Sequence, residues 1–212
     1  MTGGSAILKS GATLAVIAAI CTTLVAATYN LTADRIVAND KALLEQSLHP
    51  ALSDLFYDSD VSESRLILAP PHGLPGSDEA LIYRVYADNE PVAALFVVTA
   101  RDGFSGSIRI LLGVDIDGLV TGVRILKHRE TPGLGDKIES SRSDWVHQFP
   151  GRSIGEPVVT EWAIRGDGGQ FDQLTGASVT PRAVIKAMRD TLLYLNANRE
   201  EIFAAAATED GA

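Results

Sequence analysis

The sequence predicts an α+β protein in which one N-terminal transmembrane helix precedes a domain of antiparallel strands with flanking helices. Three observations carry this expectation. Between Lys9 and Asp34 lie 24 residues without a formal charge. Strand-like runs follow at Leu81–Tyr86, Ala93–Thr99, Ile108–Ile116 and Leu119–Leu126, the last two joined by Asp117-Gly118, a strong short-range hairpin signal. A helical pattern then opens at Thr180, with Val184, Met188, Leu192 and Leu195 on one face.

The uncharged stretch includes the run Gly11–Ala27 and extends about 36 Å as a helix, against roughly 30 Å of bilayer hydrocarbon. A buried soluble helix would carry more polar interruptions than the Ser, Thr and single Cys found here. Val25-Ala26-Ala27 resembles a signal-peptidase site, but the apolar core exceeds the roughly 7–15 residues of a signal h-region, so an uncleaved anchor is expected. Lys9 is the only charged side chain before the segment, which predicts a cytoplasmic amino terminus and an external domain.

Composition fits that division. The 212 residues combine a positive mean hydropathy of +0.12 with a net charge of −9 and a pI near 4.9. Beyond residue 28 the chain holds 27 acidic and 17 basic side chains, so the external part carries −10. Such a surface argues against nucleic acid, which needs a basic face. Cys21 is the only cysteine, which excludes an internal disulfide, an iron–sulfur cluster and c-type haem.

After the anchor, Ile36, Leu43, Leu44, Leu48, Leu52 and Leu55 recur at helical spacing, predicting an amphipathic stem over Leu31–Leu55. Pro70–Gly76 reads as a loop. A helix is expected near Asp144–Phe149, a strand at Pro157–Trp162, a glycine-rich loop at Gly166–Gly169, and the final helix with Thr180 as N-cap and Pro181 at its first position. The Ala-rich tail from Ala204 is expected to fray. The predicted organisation is thus 1–10 cytoplasmic, 11–30 transmembrane, 31–75 stem and linker, 76–200 domain, and 201–212 tail.

Few segments suggest chemistry. Gly103-Phe104-Ser105-Gly106 is one residue short of a nucleophile elbow and precedes a strand, which argues against a serine hydrolase. The Asp115–Gly118 stretch lacks the later Gly and Glu of a calcium loop. His128 and Glu130 admit metal or proton chemistry, although two groups two apart at a strand end usually face solvent. His49, His72 and His147 have no ligand spacing. No dinucleotide fingerprint or P-loop is present. Asp172-Gln173-Leu174-Thr175-Gly176-Ala177-Ser178-Val179-Thr180-Pro181 crowds hydroxyls and small residues against a helix amino end. Either a bound phosphate or simply a capped helix after a Gly turn accounts for that pattern.

Longer motifs add a resemblance. Asp102–Gly106, His128–Ile138, Ser143-Asp144-Trp145, Phe171–Ser178 and Thr180–Val184 together make the chain resemble, over nearly its full length, the G-subunit family of the Rnf/Rsx ion-translocating oxidoreductase. The C subunit of the sodium-pumping NADH:quinone oxidoreductase is a more distant likeness. The resemblance implies an FMN-binding domain, with FMN joined covalently by a flavin transferase to the last hydroxyl of an (S/T)-G-A-T motif. That position is Ser178, where the family usually has threonine; serine offers the same nucleophilic oxygen. Thr175 then matches the first hydroxyl, followed by Gly176 and Ala177, with Thr180 as the helix cap and Asp172 as the motif's acidic residue. By the same resemblance Glu130, Thr131 and Leu134 lie by the flavin ring, with Gly133 and Gly135 allowing close backbone approach.

The implied function is a membrane-anchored electron carrier in an ion-translocating complex of the bacterial inner membrane, not catalytic alone, with a periplasmic domain. The implied partners are the other subunits of the Rnf/Rsx-type complex and the flavin transferase, with one helix in the membrane. The competing reading is a non-redox anchored ligand-binding or assembly subunit.

Overall fold

A computed structural model describes residues 3–52, 55–58, 60, 61, 64–76 and 79–203. The chain separates into two units, residues 1–43 and 44–212.

Helix α1, Gly3–Leu52, runs through the uncharged stretch and beyond it. Its segment Lys9–Ile36 is long and apolar enough to cross a membrane, and none of its most apolar window is buried within the chain. Leu14, Ile17, Leu24 and Val25 are all more than half exposed. Among the described residues nothing covers this apolar surface, as a buried soluble helix would require.

The second unit is built on a five-stranded sheet: β1 (Arg65–Leu68), β2 (Ala80–Ala87), β3 (Glu90–Ala100), β4 (Ile108–Asp115) and β5 (Val120–Lys127). Every neighbour is antiparallel and strand order follows chain order. Asp88 and Asn89, both at positive φ, turn β2 into β3, as a two-residue hairpin loop requires. At the β4–β5 turn, Asp115 Oδ1 accepts the N–H groups of Asp117 and Leu119, so its carboxylate serves the turn itself.

Both faces of the sheet are buried, which is why β3 reads as a nearly continuous apolar run. Ala94, Phe96 and Val98 face one core, with Ile110 and Leu112 of β4. Above them pack α2 (Val179–Ala197), through Val184, Met188, Leu192 and Leu195, and the aromatic residues Trp145, Phe149, Trp162 and Phe171. Leu95, Val97 and Leu111 face a second core shared with Leu44, Leu48, Ala51 and Leu52 from the last turns of α1. There the sheet carries a notch. Gly113 and Gly122 are paired across β4 and β5, and an added Cβ would stand 2.3 and 2.7 Å from the Ala51 carbonyl oxygen. Thr121 Oγ1 donates to that same carbonyl at 2.7 Å. Helix α1 thus continues to Leu52, with Leu44, Leu48 and Leu52 buried against the sheet.

Several local expectations need correction. β1 falls in the stretch assigned to stem and linker; four residues without strict alternation gave no strand signal. Pro157–Trp162 is not a strand but an extended lead into a 3-10 turn at Val159–Glu161. The Trp162 indole N–H donates to the carbonyls of Ser153 and Pro157, which folds the segment back on itself. The helix near Asp144–Phe149 is a 3-10 turn, Asp144–Gln148, capped by Ser143. Helix α2 begins at Val179 with Ser178, rather than Thr180, in the N-cap position. A short helix α3, Arg199–Ile202, enters the stretch assigned to the tail, and residues 204–212 lie outside the described residues.

The first turn of α2 is tied to the loop Arg165–Asp167 by Arg182, whose Nε and Nη2 donate to Asp167 at 2.5 and 2.8 Å. The Arg182 hydrogen bond holds the Asp167 carboxyl below its usual range. A depressed carboxylate stabilises the fold above its unfolded pKa of about 3.9, and the contribution is lost as pH falls through the lower folded value. Both side chains are solvent-screened, so the effect is small. Arg182→Gln is expected to melt slightly below wild type near neutral pH and together with it in acid, as a pH series of thermal melts would read.

Candidate functional site

A cavity of about 200 Å³ opens between the loop after β5 and the amino end of α2. Glu130, Thr131, Leu134 and Gly135 form one wall, Gly176 to Thr180 the other, and Phe104 closes the side.

The Ser178 wall is positioned from below by aromatic packing. Trp145 and Phe149 meet edge to face at 5.0 Å, and Phe171 contacts both Phe149 and Trp162 at under 5 Å. The Trp145 indole N–H donates to the Asp172 carbonyl at 2.6 Å, and the Asp172 N–H donates to Gln148 Oε1 at 2.7 Å. The chain then turns tightly, with the Ala177 N–H donating to the Leu174 carbonyl at 3.1 Å. Gly176 takes φ +83° at the third position of that turn, a left-handed conformation that glycine adopts without steric cost.

Ser178 stands at the N-cap position of α2, yet its backbone is right-handed helical and its side chain makes no capping hydrogen bond. The residue is half-buried and lines the cavity wall. The first helical carbonyl to be used is that of Ser178, which accepts from Arg182 N–H at 3.4 Å. The amides at the start of the helix have no partner inside it, and they concentrate the positive end of a 19-residue helix dipole on the cavity. No lysine or arginine lines the cavity among the described residues. The arrangement suits a singly charged phosphodiester better than a doubly charged free phosphate.

The opposite wall is held by Glu130. The residue is 4% exposed, and its carboxylate accepts the Ser105 N–H at 3.0 Å through Oε1 and the Thr180 hydroxyl through Oε2. Its own N–H donates to His128 Nδ1 at 3.0 Å. Nδ1 is therefore the acceptor nitrogen, and Nε2 donates to Glu139 Oε1 at 2.6 Å. The pair expected to face solvent is thus folded inward, because the backbone after β5 leaves the sheet and three segments converge on Glu130. The Thr131 carbonyl accepts from the N–H groups of Leu134 and Gly135, closing the loop. A Cβ at Gly135 would lie 2.9 Å from Glu130 Cβ and 3.0 Å from Thr180 Oγ1, so this glycine makes room for protein.

Of the residues expected at the site, Glu130, Thr131, Leu134, Gly176, Ala177, Ser178 and Thr180 line the one cavity. Thr175 and Asp172 do not. Thr175 is exposed on the turn, and the Asp172 side chain points outward to pair with Arg165 at 3.1 Å. Phe104 and Val179 line the cavity without having been singled out as site residues, and Gly135, expected to allow backbone approach to the ring, lines it as well. Phe104 is 71% exposed; an aromatic residue flanked by glycine and serine in a loop was the available signal. With Leu134 and Val179, both about 40% exposed, it gives the mouth an apolar rim.

Residues 103–193 match the family described as FMN-binding domain, and residues 1–50 match the RnfG N-terminal region. The chain is 41% identical over 198 residues to the G subunit of the ion-translocating oxidoreductase complex of Shewanella amazonensis, covering 93% of this chain and 92% of that protein. It is 40% identical over 199 residues to the protein of that name from Vibrio vulnificus, with 93% of each chain covered. For the Cronobacter sakazakii protein of the same name the identity is 43% over 192 residues and 89% of each chain.

Proposed function

Since the chain belongs to the G-subunit family of the ion-translocating oxidoreductase complex, we propose that it carries FMN covalently, as a phosphoester on Ser178, and passes electrons between other subunits of that complex. The observation that carries the attachment is the Ser178 hydroxyl: it sits at a helix amino end, lines the cavity, and is not used as a cap.

FMN, when bound, supplies reversible electron uptake and release. The residues present fit it. The helix start from Val179 would hold the phosphodiester charge, and the ester bond would keep the cofactor from diffusing away. The apolar rim of Phe104, Leu134 and Val179 would hold the ring and exclude water from one side. Glu130 and the Thr131 turn fix the opposite wall. With Phe104, Leu134 and Val179 exposed at the rim, part of the group would reach the mouth, where a neighbouring subunit could approach it.

In this reading one helix anchors the chain in the bacterial inner membrane, the second unit lies on the periplasmic side, and a flavin transferase attaches FMN there. Asp172, outward-facing and clear of the cavity, is positioned to be read by the transferase. The full-length chain, purified from a host with the transferase and then denatured, is expected to retain yellow fluorescence, and the peptide containing Ser178 to gain the mass of one FMN less one water. A chain that carries no flavin yet restores complex assembly and electron transfer in a deletion strain would favour the non-redox scaffold instead.

A further inference from the structure

Two hydroxyls stand at the start of α2, Ser178 and Thr180, separated by Val179. Both line the same cavity. A phosphoryl donor approaching the helix amino end meets both, and their nucleophilic oxygens are chemically alike. The structure treats them differently. The Thr180 residue is 1% exposed, and its hydroxyl donates its proton to Glu130 Oε2. Ser178 is only half-buried, and its side chain serves no cap.

We infer, on the basis of the attachment reading above, that Glu130 is the residue that selects Ser178 over Thr180 as the flavin acceptor. It acts as a positioning residue. By accepting the Thr180 hydroxyl it turns that oxygen into the wall and away from the donor. By accepting the Ser105 N–H it is itself held still, and the bond from its own N–H to His128 fixes its backbone. Gly135 permits the approach, since any Cβ there would collide with both Glu130 and Thr180. Thr180 is therefore a latent acceptor, masked by one carboxylate.

The selected step is a phosphoryl transfer. An activated flavin pyrophosphate such as FAD supplies the phosphoryl group; the acceptor Oγ–P bond forms, the P–O bond of the pyrophosphate bridge breaks, AMP leaves with the bridging oxygen, and the hydroxyl proton passes to the transferase or to water. No electrons change hands. Nothing in this balance distinguishes Ser178 from Thr180, so the choice rests on which oxygen is presented.

The test co-expresses the full chain with the flavin transferase and maps FMN by peptide mass spectrometry, with thermal melts to confirm folding. Ser178→Ala is expected to carry no adduct, because Thr180 stays masked. Ser178→Ala with Glu130→Ala is expected to carry FMN on Thr180. Glu130→Ala alone is expected to divide the adduct between Ser178 and Thr180, whereas a purely structural role would lower Ser178 occupancy and leave Thr180 bare. Should the alanine variants fail to fold, Glu130→Gln with Ser178→Ala keeps the shape; its single carbonyl oxygen cannot serve both donors as the carboxylate does, and some adduct on Thr180 is again expected. Folded double variants with a bare Thr180, or with FMN on Thr175, overturn the role of Glu130. A wild-type chain without FMN at Ser178 overturns the attachment reading itself.

Discussion

Replacing Ser178 by alanine is expected to eliminate covalent FMN while leaving the fold intact. An N-cap serine that bonds the helix amides typically costs about 0.5–2 kcal/mol to remove. Here that cost is largely absent, because the side chain makes no such bond. The loss is chemical, since alanine has no oxygen to esterify, and Thr180 is turned away. Ser178→Thr should restore attachment in full, because a secondary hydroxyl offers the same bond. Fluorescence of the denatured chain reads the first outcome, and thermal melting the second. Retained fluorescence in Ser178→Ala, or a melt far below wild type, would show that the hydroxyl is doing something other than accepting the phosphoryl group.

A second large effect belongs to the opposite face of the sheet. Gly122→Val is expected to lower stability by about 3 kcal/mol, the upper part of the range for overpacking a tight core. Even the first added carbon would stand 2.7 Å from the Ala51 carbonyl oxygen and 2.9 Å from its Cα, and backbone cannot swing aside as a long side chain can. The last turn of α1 would have to leave its seat, uncovering Leu48 and Leu52 and breaking the bond from Thr121. Thr121→Val, which removes the donor to Ala51, should cost about 1–3 kcal/mol, the penalty for an unpaired buried carbonyl. Urea or thermal unfolding of the full chain in detergent checks both; a Gly122→Val protein as stable as wild type would mean that the notch does not seat the helix. The cavity lies among other residues, so attachment at Ser178 should survive in whatever fraction stays folded.

The sequence made some of this legible and hid the rest for physical reasons. The anchor was readable because the bilayer sets a length that 24 uncharged residues meet. The strands from β2 to β5 were readable as apolar runs between turn residues. β1 was not, because a four-residue edge strand is defined by its partner β2. Pro157–Trp162 has strand composition, but two hydrogen bonds from one indole decide its path, and propensity does not contain them. At the site, the hydroxyl-rich loop announced a helix amino end. The inward turn of Glu130 could not be read, since its bonds join residues 25 and 50 positions away. Asp172 shows the reverse: adjacent to the loop in sequence, it faces away from the cavity in space.

The way the strands are strung has a consequence for biogenesis. Each strand pairs with its sequence neighbour, so the sheet can zip up hairpin by hairpin as the chain emerges, with only short loops to close. The cavity cannot form so early. Its walls come from residues 104, 130–135 and 176–180, and they meet only when the last long helix lies down on a finished sheet. A chain that stalls or is cut short before that moment has strands but no acceptor geometry. Under the proposed attachment, loading with flavin would then act as a certificate of completion, and a pool of yellow protein would be a pool that has folded to its end.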